Sequence, residues 1–230
     1  MTRCQRWTPA LLVTILFAVP VTANAETRST TIGVAASITP SAEGGSGTAF
    51  QTLAPGSELR ASETVRTGDA GKADLVFVDR TNLTVGPASE VVLDKFVYDP
   101  VGSSGKVVLQ TTRGAFRFVT GTQDHSAYQI NTPYGSLGVR GTAFTCEVKP
   151  KGQKQQIAGC DIKCTVESGA VEAATQFGNR RTFTAGQTFC QSGNNFTVTA
   201  AAAPPPPPPP AGPGGPGCTP QQTPVVIPCP

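Results

Sequence analysis

The spacing of the apolar residues constrains this chain more than any other feature. Through most of its length, short runs rich in Val, Ile, Thr and Phe alternate apolar with polar side chains, and Gly or Pro interrupts them at close intervals. A period of two suits a strand with one buried face, whereas a helix needs apolar residues three and four apart and is broken by such punctuation. Lys72-Ala73-Asp74-Leu75-Val76-Phe77-Val78 leads into the turn-rich Asp79-Arg80-Thr81-Asn82, and Leu83-Thr84-Val85 follows before Gly86-Pro87. This is the pattern of a β-hairpin. Further strands are predicted over 90–97, 106–111, 115–119, 127–131, 142–148, 161–167, 170–174 and 181–183. The fold class is therefore all-β, a single domain of many short strands built as a twisted sandwich or as a solenoid-like β-coil.

Composition divides the chain into four parts. Arg3 and Arg6 precede an apolar run from Ala10 to Val21, and Ala23-Asn24-Ala25 supplies the small residues read by signal peptidase. Residues 1–25 are thus a predicted Sec-type signal peptide cleaved after Ala25, which places the chain in a periplasm or outside the cell. The apolar run falls short of the about 20 residues needed to span a bilayer, so a retained anchor is the weaker reading, and no cysteine at the cleavage position supports a lipid anchor. Residues 26–49 are read as an N-terminal strand and loop, with Glu43-Gly44-Gly45-Ser46-Gly47 as a flexible loop or strand connection. Residues 50–199 form the β domain. Residues 200–230 are a Pro/Gly-rich tail, including seven prolines from Pro204 to Pro210, that builds no packed core and is expected to be disordered around an extended polyproline rod. The tail reads as a spacer, with a docking ligand for an aromatic groove as the alternative.

Loss of Arg3 and Arg6 from the 18 basic residues leaves 16 against 15 acidic ones. A near-neutral chain without a basic stripe is a poor match for phosphate backbones, so nucleic acid is not an expected partner. Beyond the leader no segment is apolar enough to cross a membrane as a helix.

Six cysteines remain after Cys4 leaves with the leader, and an even number in an exported chain reads as a disulfide set. Cys218 and Cys229 enclose a short loop in the tail and pair locally. Cys146 shares strand parity with Phe144 and Val148, and Cys164 with Ile162 and Val166, so the two can face inward from neighbouring strands. That leaves Cys160 for Cys190. The rival set, Cys146 with Cys190 and Cys160 with Cys164, stays open. Zinc on the closely spaced Cys160 and Cys164 lacks the second close pair that a structural site wants. No metal and no cofactor are expected.

The most distinctive segment runs Asn131-Thr132-Pro133-Tyr134-Gly135-Ser136-Leu137-Gly138-Val139-Arg140-Gly141-Thr142-Ala143-Phe144. Gly135, Gly138 and Gly141 recur every third residue, so the backbone can bend sharply or admit a neighbour closely. Arg140 is placed inside this bend, where its five donors suit carbonyls or a carboxylate at an interrupted strand corner. An anion-binding arginine on a glycine-rich loop is the functional alternative.

This segment resembles the signature of the FecR protein domain, in which Thr132-Pro133 leads into Val139-Arg140-Gly141-Thr142 and a strand. Val65-Arg66-Thr67-Gly68, Gly86-Pro87-Ala88-Ser89, Phe96-Val97-Tyr98-Asp99-Pro100 and Arg113-Gly114-Ala115-Phe116-Arg117-Phe118-Val119-Thr120-Gly121 fit the same family in the same order. The resemblance implies an extracytoplasmic β-rich module, best known from regulators that relay an iron-uptake signal from an outer-membrane transporter to a sigma factor. Direct anti-sigma action is not expected here, because no cytoplasmic amino-terminal segment or retained membrane helix is read in the sequence. The resemblance implies a binding, signal-sensing or assembly module with protein partners in the envelope, and a structural envelope protein is the alternative.

Catalysis is the competing class. A Ser-His-Asp arrangement would need His125, the single histidine, which lies in Thr122-Gln123-Asp124-His125-Ser126 without a nucleophile elbow. Asp74, Asp79, Glu90 and Asp94 are scattered acids of the solvent-facing kind, with a hydrolase of envelope polymers as the least remote use. No catalytic residue is assigned.

Overall fold

In the computed structural model, residues 30–99, 105–124, 126–153 and 159–200 are described. They contain fifteen strands and no helix. The first eight are β1 (Thr31–Thr39), β2 (Ala42–Ser46), β3 (Ala49–Thr52), β4 (Glu58–Arg60), β5 (Glu63–Thr67), β6 (Lys72–Phe77), β7 (Asn82–Val85) and β8 (Glu90–Val97). The remainder are β9 (Lys106–Val119), β10 (Tyr128–Thr132), β11 (Gly135–Val148), β12 (Ile162–Thr175), β13 (Arg180–Thr184), β14 (Gln187–Ser192) and β15 (Asn195–Ala200).

Three of these strands run for 14 residues, and each is shared between two layers. The first half of β9 lies between β8 and β10, while its second half lies between β7 and β11. The first half of β11 pairs with β10 and its second half with β9. The first half of β12 pairs with β14 and its second half with β13. One layer therefore reads β3, β2, β5, β8, β9, β10, β11, β12, β13, and the other reads β4, β1, β6, β7, β9, β11, β12, β14, β15. The pairing is antiparallel throughout except for β9 with β10, which is parallel.

Both architectures foreseen from the sequence are present in one molecule, because the layers pack as a sandwich while the long strands coil from one to the other. The inward residues of every strand fill the space between the layers. Phe77 of one layer stacks on Phe96 of the other at 5.4 Å, Phe118 meets Tyr128 edge-on at 5.8 Å, and Phe183 stacks on Phe189 at 4.0 Å. Such pairs add about 0.5–1.5 kcal/mol each beyond the area they bury.

The strand changes layer where a glycine takes a positive φ: Gly114 at 91° in β9, Gly141 at 59° in β11 and Gly169 at 71° in β12. Side chains are doubly excluded at Gly169, since a Cβ there would also collide with the carbonyl oxygen of Gly141. The sequence reading splits two of these strands, expecting breaks between 111 and 115 and between 167 and 170, and treats 135–141 as a bend outside the strand. Each is instead a continuous strand turned by one glycine, because a bulge redirects the chain and the ladder resumes two or three residues further on. The Glu43–Gly47 stretch, read as a loop or connection, is mostly β2, with only the Gly47-Thr48 turn leaving the ladder. β3, β4, β5, β14 and β15 lie outside the strands predicted from the sequence.

Cys146 is bonded to Cys164 and Cys160 to Cys190. Cys146 and Cys164 are directly opposite across β11 and β12 and both are buried, which follows from the shared parity. The rival pairing and a zinc site on Cys160 and Cys164 are excluded, because these sulfurs are committed to separate bonds. The signal peptide, the tail with Cys218 and Cys229, and His125 lie outside the described residues.

Replacing Gly178, which has φ of 88° and open space around it, should cost about 1–2 kcal/mol on substitution with alanine. Gly169→Ala adds a backbone collision to the same strain and should cost about 3 kcal/mol or more in urea unfolding. Equal losses for the two variants would show that the corner can relax.

Candidate functional site

The distinctive segment begins as a hairpin. Thr132 and Gly135 are opposed at the end of β10 and β11, leaving Pro133 and Tyr134 as the two turn residues. Thr132 Oγ1 accepts the N–H of Tyr134 at 3.2 Å and donates to the carbonyl of Gly135 at 3.0 Å, so one hydroxyl closes the turn. Val139 is buried in the core. Gly138 is opposite Glu172 on the outer face, and the nearest atom to a Cβ built there is 3.8 Å away. Crowding therefore does not demand glycine at 138.

At the corner the buried residue Thr142 satisfies the groups that the ladder releases. Its hydroxyl donates to the carbonyl of Ala170 at 2.8 Å, and its N–H donates to Thr120 Oγ1 at 3.0 Å. Ala143 N–H is taken by Ser168 Oγ at 3.0 Å. Arg140 does none of this. Its side chain is 69% exposed, and its ion-pair partner is Glu172 at 3.7 Å. The corner role anticipated for Arg140 falls to Thr142, since a short hydroxyl reaches the interrupted ladder from inside while Arg140 stands on the outer face of β11.

Arg180 approaches Glu172 from the other side at 3.2 Å. Two guanidinium groups thus flank one carboxylate beside a shallow depression of about 180 Å³ lined by Ser126, Tyr128, Gly138, Val139, Arg140 and Glu172. The patch keeps one positive charge in excess and has unused N–H donors, a combination suited to a carboxylate or to carbonyls of a docked chain.

Beneath this surface is a polar cluster that sequence reading missed. Asp79 was grouped with solvent-facing acids, but it is fully buried. Its Oδ1 accepts Thr81 N–H at 2.9 Å, and its Oδ2 accepts Thr81 Oγ1 at 2.7 Å, Tyr128 OH at 2.9 Å and Gln123 Nε2 at 3.3 Å. The carboxylate ties the turn between β6 and β7 to the start of β10 in the other layer. Desolvation is the main reason that the Tyr128 hydroxyl is held above its ordinary value. The only sequence signal was Asp79 two residues ahead of Thr81, the spacing of a side chain that caps its own turn.

A second cluster joins the ends of β11, β12 and β14. Lys149 Nζ contacts Asp161 Oδ1 at 2.7 Å, and Gly193 N–H donates to Asp161 Oδ2 at 2.9 Å. Tyr134 donates its OH to the carbonyl of Pro150 at 3.2 Å, while its own carbonyl accepts Gln191 Nε2 at 2.8 Å. Burial opposes ionisation of Asp161, but the hydrogen bonds from Lys149 and Gly193 outweigh it and leave its carboxyl below the ordinary range. Glu167 is held low chiefly by its hydrogen bonds with Arg117, the shortest at 2.6 Å, with help from Thr145.

The remaining acids weighed for catalysis are on different faces. Asp74 is on the outer face of one layer, hydrogen-bonded by Ser37 and Thr84 at 2.7 Å each. Glu90 and Asp94 belong to β8 in the other layer, where Arg66 pairs with Glu90 at 3.1 Å and Gln110 donates to Asp94 at 2.9 Å. These carboxylates are held by structural partners and do not converge.

An all-β module whose strand corner and closing turn consume most of its distinctive motif is the class of protein defined here. The family model described as FecR protein matches residues 63–172, from β5 to the second half of β12. Two crystal structures of a candidate anti-sigma factor from Parabacteroides distasonis are similar at 10% identity and a TM-score of 0.46, covering 61% of this chain and 60% of that one. The chain thus spans under two thirds of the length of those proteins. No curated protein matches it.

Asp79→Ala strands the Tyr128 hydroxyl, the Gln123 amide and two Thr81 donors, and should cost about 3 kcal/mol or more of stability. Arg140→Ala removes an exposed pair and should cost less than about 1 kcal/mol. Since Asp161 and Glu167 are depressed by the fold, their stabilisation is complete above the ordinary values of 3.8 and 4.5 and is lost as pH falls through the lowered ones. Urea midpoints should therefore hold level from neutral pH to about 5 and then decline. A decline beginning near neutrality would contradict this assignment.

Proposed function

We propose that this chain is an exported, non-enzymatic FecR module that binds a protein partner in the bacterial cell envelope. The observation that carries the reading is the disposition of the motif: Thr132, Val139, Gly141 and Thr142 are used inside the fold, while Arg140 is left exposed beside Glu172 and Arg180 with donors to spare. A rigid two-layered scaffold presenting polar donors over a shallow surface suits recognition of another chain better than turnover of a small substrate. Two disulfides form and persist where thiols are not kept reduced, which supports removal of residues 1–25 during export and residence in the periplasm or outside the cell. In this reading residues 26–199 form the folded module and residues 200–230 a spacer ending in a Cys218–Cys229 loop.

Signal sensing is the use that the FecR domain favours, with the partner a membrane-embedded transporter or regulator. The test is crosslinking in the native host followed by mass spectrometry, with the intact chain, a form lacking residues 201–230, and Arg140→Glu. Both wild-type forms should capture the same membrane protein through the β domain. Arg140→Glu should cut that yield by about tenfold, equivalent to about 1.4 kcal/mol, with its thermal midpoint unchanged. Crosslinks confined to envelope-polymer proteins, with no dependence on Arg140, would replace signalling by a structural role.

A further inference from the structure

Four of the described strands have a neighbour on one side only: β3, β4, β13 and β15. An unpaired edge offers a row of backbone donors and acceptors, and proteins that stay monomeric shorten it or charge it. Three of these edges are treated in that way. β4 has three residues, with Glu58 and Arg60 at its ends. β3 has four, and the guanidinium of Arg66 lies 3.8 Å over its Phe50 ring. β13 carries Arg180 and Arg181.

β15 is different. It has six residues, Asn195-Phe196-Thr197-Val198-Thr199-Ala200, paired without a bulge to β14. No Asp, Glu, Lys, Arg or His occurs anywhere from Thr182 to Pro230, so the strand itself carries no charge to guard this edge. Phe196 and Val198 pack against the core, whereas Thr197 and Thr199 are exposed on the outer face.

We propose that the free edge of β15 pairs antiparallel with β15 of a second copy, about a two-fold axis at Thr197. That register sets Phe196 opposite Val198 of the other copy on the inner side and Thr197 opposite Thr197 on the outer side. Aromatic with β-branched and threonine with threonine are favourable cross-strand pairs, and no like charges meet. The same operation at β13 would set Arg181 opposite Phe183 and Arg180 opposite Thr184, placing a charge in every flanking pair. The chain's own tail competes poorly for the edge, because from Pro204 to Pro230 no stretch runs beyond three residues without a proline, and such a sequence favours the polyproline II conformation over a strand. A two-fold pairing of β15 also sets the two copies of Ala200 at opposite ends of the joint. This inference is independent of the proposed partner at Arg140, which lies in the other layer.

A contact of five residues a side falls below the about 1,000 Å² that marks a stable interface, so the dimer is weak and reversible. Sedimentation equilibrium of the processed chain, tail included, should show a monomer–dimer equilibrium that strengthens with concentration. Thr197→Lys should abolish the dimer with its thermal midpoint unchanged, and Thr182→Lys on β13 should leave it intact. Opposed residues of an antiparallel pair come within the Cα separation that a disulfide needs, so Thr197→Cys should yield a covalent dimer on mild oxidation. A monomer at every concentration, a dimer that survives Thr197→Lys, an assembly larger than two, or failure of Thr197→Cys to link would each overturn the proposal.

Discussion

The turn of β9, β11 and β12 from one layer into the other is the constraint on which the rest of the structure depends. Each of these strands supplies neighbours to both layers, so the positions of β7, β8, β10, β13 and β14 all follow from where the long strands bend. A bend inside a ladder releases backbone groups that must find partners, and at each corner a hydroxyl side chain provides them. Beside Gly114, Ser89 Oγ accepts the N–H of Ala115 at 2.9 Å. Beside Gly141 and Gly169, Thr142 and Ser168 serve the carbonyl of Ala170 and the N–H of Ala143. Glycine permits the turn, and a short hydroxyl makes it tolerable in a dry interior.

The two ends of the molecule are tied differently. Both disulfides belong to the half formed by β11, β12 and β14, where the Lys149 and Asp161 pair also lies. These ties span 18 and 30 residues, enough to remove considerable freedom from the unfolded chain. The opposite end of the molecule relies on the Asp79 cluster, which fixes the turn after β6 against β10 through noncovalent bonds. The disulfides fix strands within the layer that holds β14, while the Asp79–Tyr128 and Gln191–Tyr134 hydrogen bonds join that layer to the other, a register that the alternating apolar pattern specifies on its own only along each strand.

How much of this was legible in the sequence depended on the range of the physics involved. Period-two alternation is local, so the β class and most central strands could be read, and parity alone brought Cys146 opposite Cys164. The corners could not be placed because Gly114, Gly141 and Gly169 look like strand ends unless the partner strands are known. Asp79 resembled an ordinary turn residue for the same reason, since its burial comes from Tyr128 and Gln123, more than 40 residues away in the chain. Arg140 stands out in the sequence as a partner for carbonyls or a carboxylate at the strand corner, and it meets that carboxylate, Glu172, on the outer face. Its neighbour Thr142 is the one directed into the interrupted ladder, a difference of two residues that only the bulge between Arg140 and Ala143 decides.

That difference bears on what a shared motif can transmit. When Thr132, Val139, Gly141 and Thr142 are consumed by a turn, a core position and a corner, a motif containing them carries the scaffold from one protein to another and leaves the ligand free to change. In the proposed recognition of a partner, specificity comes from residues around the motif: Glu172, 3.7 Å from Arg140, and Arg180, which lies beyond the matched residues on β13. A substitution at Arg180 would leave every hydrogen bond of the corner in place while altering the charge offered next to Arg140. The recognisable residues of the motif, Arg140 excepted, are thus those that the fold itself uses.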